Sequence, residues 1–419
     1  ENAPLVFKIP FLKEKKLKSV AKHVSKTDVT LKDCIGRSLV HLAAQYSPAI
    51  LKTLIRKKLV DLDEKDLGGN TPLMYAAKSG MTKCIQMLLS AHASPTARNN
   101  NQENPLHWFC KNTNITESQC QTVIPLLMEN KVCIYSCDSS QNTAAHTAAS
   151  HHNIVVLQYF VEQQYFPIEM TNGDGDTCLH LAVRSRDVTT VKQILTWNGG
   201  KYVGNNSGIL PLDIAEELSL PHIISILSDD LIDDENLQNA WNAVKDDDWE
   251  SLLQICSCGD DDSSQELTGS NSSTSSKIRA TGGRRRRGVN RESDSSEQTK
   301  LINLAAVWAV ARDKLHLLKN LLDNFVVDFN FVNSDGSFLL YSLCRTSKPG
   351  CSEYMELLLR CLKLGAGTNE RNVEENTCLH IAALRGNLCA IKLLLDNGAF
   401  TNAINIQGET ELHFAILSG

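Results

Sequence analysis

No apolar run approaches the roughly 18 to 20 residues that a membrane-spanning helix requires. The longest uncharged apolar stretch, Leu301 to Ala311, reads as a buried helix, so no membrane insertion is expected of this segment. The start lacks the order of a secretory signal, because Lys8 and Pro10 interrupt its apolar residues and a lysine cluster follows. There is no C-x-x-C pair, and Cys256-Ser257-Cys258 and Cys133 to Cys137 have poor zinc spacing. The fourteen cysteines are spread along the chain, several at helical positions, and are expected to be free thiols of an intracellular, cytoplasmic protein. Glycosylation is then not expected at the sequons of Asn114, Asn205 and Asn271. A GxxxxGK[ST] phosphate loop is missing, and the aspartate-rich stretches lack the alternating ligands of a calcium loop. The arginine cluster Arg284 to Arg287 has no aromatic neighbours and the net charge is -6, which argues against nucleic acid. No catalytic group, cofactor or metal is expected.

What is present is a recurrence. Thr377-Cys378-Leu379-His380 returns as Thr410-Glu411-Leu412-His413 after 33 residues. The same register appears at Ser38 to His41, Thr71 to Met74, Asn104 to His107, Thr143 to His146, Thr177 to His180, Leu210 to Asp213 and Phe338 to Tyr341. Successive fourth positions are 33, 33, 39, 34 and 33 residues apart, then, after a gap, 39 and 33. Within a unit, Thr377 caps a first helix, small Ala382 and Ala383 admit a close neighbour, and Ile391, Leu394 and Leu395 give a second helix its apolar stripe; Gly398 ends it. Each cap follows a tight turn with Asp or Asn five residues earlier and usually Gly two earlier, as in Asp33 with Gly36 and Asn172 with Gly175. Gln102, Gln141 and Glu375 stand where that Gly is expected, so another turn shape is expected there. The two longer spacings place extra residues near Asn112 to Gln119 and Ser347 to Cys351, expected in loops.

The motif T-P-L-H-x-A at period 33 resembles the ankyrin repeat. The resemblance covers most of the chain except its ends and middle. It implies an all-α solenoid of stacked helix–turn–helix units with hairpin loops, interrupted by a disordered linker. The expected order is a leading helix at 1–32, repeats one to six at 33–230, a degenerate or capping repeat at 231–257, a linker at 258–299 and a second block at 300–419. The second block reads as a continuation of the stack. Its last repeat is truncated, and with no Met at the start the chain is expected to be an excerpt of a longer protein. The linker is poor in apolar residues. Arg284 to Arg287 in it are a candidate nuclear signal, and Ser293, Ser295 and Ser296 are candidate phosphorylation sites among acidic neighbours.

The resemblance further implies that the six TPLH histidines are structural, and that the chain is a non-catalytic scaffold binding protein or peptide ligands on a concave face of hairpin tips and first helices. Mapped onto this sequence, that face has Ile35, Arg37, Leu67, Asn70, Asn101, Glu103, Asp174 and Asp176 at the tips, and Tyr46, Lys78, Arg184 and Arg385 on the helices. Trp108, directly after a TPLH position, reads as core. The alternative implied by the resemblance is the targeting arm of a larger enzyme, similar to tankyrase-type ADP-ribosyltransferases or ankyrin-containing ubiquitin ligases, or the cytosolic domain of an ion channel.

Overall fold

The computed structural model describes residues 31–58, 60–163, 170–197, 199–228, 235–257, 291–333, 336–346 and 351–417. The expected leading helix lies outside them but for its last two residues; the linker as far as 290, with Arg284 to Arg287, lies outside them too. Among the described residues there are twenty-one α-helices and only two isolated β-bridges, Lys32 to Ser38 and Thr171 to Thr177. The chain divides into two compact units, Glu1–Ser228 and Asp229–Gly419.

The first unit holds six helix pairs: α1 Leu39–Tyr46 with α2 Pro48–Lys57, α3 Pro72–Lys78 with α4 Thr82–Ser90, α5 Pro105–Cys110 with α6 Glu117–Glu129, α7 Ala144–Ser150 with α8 Ile154–Glu162, α9 Cys178–Arg184 with α10 Val188–Thr196, and α11 Pro211–Glu217 with α12 Pro221–Leu227. First helices pack on first helices of the next pair, and most second helices on second. The first helices are short and almost wholly buried because small side chains let them touch: Ala43, Ala44, Ala76, Ala77, Ala148, Ala149 and Ala182 are buried at the contacts. Second helices bury one stripe, such as Ile50, Leu51 and Leu54 in α2. The extra residues of the third repeat do not all enter a loop. They also lengthen α6 to 13 residues against 9 in α4 and α8, because Thr116 starts the helix early through a reciprocal cap with Gln119.

The second unit comprises α13 Glu235–Asp246, α14 Trp249–Ser257, α15 Arg291–Ala311, α16 Leu315–Asn324, α17 Leu339–Thr346, α18 Ser352–Lys363, α19 Cys378–Leu384, α20 Leu388–Asp396 and α21 Glu411–Leu417. Helix α15 begins at Arg291, earlier than the Lys300 expected from composition, since no Gly or Pro interrupts the sequence from there to Ala311. Its apolar part is buried from Leu301 to Ala311. It packs on both α13 and α14, although 33 residues separate Ser257 from Arg291. The contact centres on Trp241 and Trp308, whose rings meet edge to face with centroids 5.2 Å apart. Arg312 lies 4.5 Å above the Trp241 ring, and Asp247 binds Lys314 at 3.3 Å and His316 at 2.7 Å.

The turns lacking glycine keep the common shape. Gln102, Gln141 and Glu375 have φ of +61°, +60° and +60°, close to +80° at Gly36 and +76° at Gly69. The leading Asx side chain imposes it: Asn99 Oδ1 accepts the backbone N–H groups of Asn101 and Glu103, and Asp138 and Asn372 do the same in their turns. A left-handed L residue costs ~1–2 kcal/mol, partly offset by the chain entropy that glycine loses on folding. Gln102→Gly is therefore expected to stabilise the first unit by ~0.5–1 kcal/mol, read as a raised urea midpoint at unchanged slope; an unchanged or lowered midpoint would refute this account of the turn.

Candidate functional site

Three ladders of hydrogen bonds join one repeat to the next and decide which side chains are left for a partner. In the first, the cap residue's backbone N–H donates to histidine Nδ1, and histidine Nε2 donates to a carbonyl ahead of the next cap: the residue immediately before it for His41, His107, His180 and His380, and Met170, further upstream of Thr177, for His146. The Nε2 distances are 3.1 Å for His41 to Asn70, 3.1 Å for His107 to Asn142, 3.1 Å for His146 to Met170, 3.0 Å for His180 to Ile209 and 3.2 Å for His380 to Glu409. An amide N–H can only donate and a carbonyl only accept, so the rings of His41, His146, His180 and His380 are the neutral Nε2–H tautomer, while His107 Nδ1 also lies 2.7 Å from the Asn104 side-chain oxygen. Burial lowers the pKa of all five, that of His146 to about 4. Two rungs differ in chemistry: Met74 Sδ accepts from Thr71 N at 3.5 Å, and Asp213 Oδ2 from Leu210 N at 2.9 Å.

The second ladder links the turn Asx to the residue before the preceding cap. Asn99 Nδ2 donates to Asn70 Oδ1 at 2.9 Å, Asn172 to Asn142 at 2.8 Å, Asn205 to Asp176 at 2.8 Å and Asn405 to Asn376 at 3.0 Å. The third joins the hairpin tips by backbone: Leu67 N to Ile35 O at 3.1 Å, Asn100 N to Gly68 O at 3.0 Å, Ser139 N to Asn101 O at 2.9 Å and Asn206 N to Asp174 O at 3.0 Å. Close approach here is tightest at Gly175, where a Cβ would lie 2.5 Å from Asn206 N, against 2.9 Å from Leu67 N at Gly36 and 2.9 Å from Asn100 N at Gly69.

A profile of ankyrin repeats matches residues 12–99, 115–207, 306–403 and 348–419. The chain belongs to the ankyrin-repeat family. Neurogenic locus notch homolog protein 1 of Danio rerio is 30% identical over 89 residues, 21% of this chain and 4% of that protein. That of Xenopus laevis is 32% identical over 92 residues, 22% of this chain and 4% of the relative. Oxysterol-binding protein homolog 1 of Saccharomyces cerevisiae is 25% identical over 196 residues, 43% of this chain and 16% of that protein. The chain therefore spans 4 to 16% of the length of these relatives.

The ankyrin stack sorts the candidate binding residues into three groups. Ile35, Tyr46, Leu67, Lys78, Asn101, Asp174 and Arg184 are exposed, while Arg37, Asn70 and Arg385 are half-buried. Glu103 and Asp176 are buried, contrary to the display expected of tip residues. They stand immediately before a cap, where the turn has already re-entered the stack. Glu103 accepts from Lys111 Nζ at 2.6 Å, Trp108 Nε1 at 2.9 Å and Asn99 Nδ2 at 2.9 Å. Burial alone would raise its pKa; these donors outweigh burial and hold the carboxylate below its ordinary range. Asp176 accepts from Asn205 and from Arg184 Nε at 3.3 Å. Asn70 is likewise a ladder member. Ser293, Ser295 and Ser296 fall on α15, with side chains outside the described residues.

Lys111 and Tyr75 were not singled out by the sequence, yet they complete a polar row at the ends of the first helices. Arg37 lies 5.8 Å from the Tyr75 ring, whose hydroxyl donates to Asp66 at 2.6 Å. The Tyr75 and Trp108 rings are 5.2 Å apart, and the Lys78 and Lys111 ammonium groups stand 5.3 Å and 5.5 Å from the Trp108 centroid. Trp108 is buried, with its indole N–H spent on Glu103. A signal for Lys111 existed: it follows Glu103 by eight residues, as Arg184 follows Asp176. Among the described residues no group of three or more His, Cys, Asp or Glu side chains is placed to hold a metal ion, and no helix is long and apolar enough to cross a membrane.

Proposed function

We propose that this chain is a non-catalytic interaction scaffold that binds partner proteins or peptides in the groove between its hairpin tips and the ends of its first helices. The observation that carries this reading is the tip ladder of the first unit. Its backbone hydrogen bonds fix successive tips as one edge, so Ile35, Leu67, Asn101 and Asp174 project from a firm row rather than from separate loops. A prepaid conformation of this kind reduces the entropy lost on binding. An intracellular setting is supported by the thirteen described cysteines, all free thiols.

The test is site-specific photo-cross-linking in cells. A photoreactive residue replacing Asn101 or Asp174 is expected to capture discrete partners, and one replacing Gln121 or Lys192, exposed on second helices, is not. Capture from the second helices alone, or equally from both faces, would overturn the assignment to the groove.

A further inference from the structure

We infer that the groove over the first three repeats takes an extended peptide rich in Asp and Glu with aliphatic side chains between them, a reading that rests on the groove function proposed above. Charge is the first observation. Residues 31–111 carry eleven lysines and arginines against six aspartates and glutamates, whereas the whole chain is at -6. This end of the ankyrin stack is therefore basic within an acidic protein, and attracts anionic partners more strongly than the rest.

The arrangement of those charges is the second observation. The carboxylates of the row lie beneath it and the cations lie toward water: Lys111 is 20% exposed over Glu103 at 9%, and Arg37 is 22% exposed over Asp33 at 8%. The carboxylates are satisfied from within. Glu103 also takes Asn99 and Trp108, and Asp33 takes the backbone N–H groups of Ile35 and Arg37. Lys78 is exposed, and its contact is the Trp108 ring that it shares with Lys111. An incoming carboxylate thus meets Lys78 and Lys111 held by one aromatic ring, with little side-chain entropy left to lose.

Apolar surface is the third observation. Beside the cations, Ile35 and Leu67 are 45% and 74% exposed on two adjacent tips that are hydrogen-bonded to each other. A bare polyanion leaves these side chains in water; a peptide alternating acidic and aliphatic residues covers them. That feature favours a peptide over nucleic acid.

The test uses the full chain and fluorescence anisotropy with a labelled nine-residue peptide of three Glu-Glu-Leu repeats, its Gln-Gln-Leu and Lys-Lys-Leu counterparts, and a single-stranded DNA oligomer of equal negative charge. The acidic peptide is expected to bind at least about tenfold more tightly than the other three, as steering and complementarity by several charges allow. Lys78→Glu is expected to weaken it about tenfold or more, and Lys78→Gln, which leaves the fold untouched at an exposed site, by a smaller factor in the same direction. Equal binding of the Gln peptide, tighter binding of the DNA, or indifference to both substitutions at Lys78 overturns the inference. Absence of binding by every peptide also overturns it, while the tip cross-linking decides the groove reading separately.

Discussion

Trp308→Ala is expected to cost the second unit ~3–5 kcal/mol, the range for removing a buried tryptophan from a core. Trp308 has no exposed surface, and Trp241 opposite it has 1%. The pair adds ~0.5–1.5 kcal/mol beyond its area through the edge-to-face geometry. The consequence is specific, because Trp241 belongs to α13 and Trp308 to α15, on either side of residues 258–290. Hydrogen exchange should show α13 and α14 losing protection together with α15, and chemical unfolding should show a lower midpoint for the transition that reports on them. Unchanged protection in α13 would mean that α13 and α14 do not depend on the tryptophan contact for their stability.

The second large effect is expected at His146, which is fully buried. Its ring satisfies Thr143 N–H at 3.3 Å, the Thr143 hydroxyl at 2.8 Å and the Met170 carbonyl at 3.1 Å. His146→Ala leaves those groups without the ring and opens a cavity, for an expected loss of ~3–4 kcal/mol. The pH dependence has a definite sign. The folded pKa is about 4 and the unfolded ring titrates near 6.5, so below 6.5 the unfolded chain binds the proton first. Stability is full above about pH 6.5 and falls as pH drops toward 4. The other four ladder histidines shift in the same direction and add to the slope. Denaturant midpoints between pH 7 and 5, above most carboxylate titration, should decline in the parent and less steeply in His146→Ala; equal slopes would remove His146 from the account.

The fold was legible because its signals are local. A cap, a buried short helix, an amphipathic second helix and a turn led by Asx each occupy a few adjacent residues, and nine near-regular copies reinforce one another. The site was legible only in part. Glu103 and Asp176 look like tip residues in sequence, but their burial is decided by Lys111 and Trp108 in one case and by Asn205, 29 residues on, in the other. The turns of Gln102, Gln141 and Glu375 were misjudged from the missing glycine, because the side-chain oxygen of the preceding Asx was given too little weight against the cost of a left-handed residue. The start of α15 was hidden by composition: its opening residues resemble the polar sequence before them. The basic row could be read as single charges, but the shared Trp108 ring that organises Lys78 and Lys111 is a contact between repeats.

The spacing of the ladders also sets how the chain can fold in time. Three of the five histidine rungs close loops of 29 residues and the other two loops of 35 and 24, and tip rungs close loops of 32 to 38, so a growing stack needs only its nearest neighbour in sequence. Low contact order of this kind favours rapid, zipper-like growth from more than one starting point. The bond from Gln298 to the Cys256 carbonyl spans 42 residues, yet closing 42 rather than 29 costs only ~0.3 kcal/mol more, since loop entropy grows with the logarithm of length. An interruption of that size can lengthen between repeats with little effect on the equilibrium; what it alters is the order in which α13 and α15 find each other.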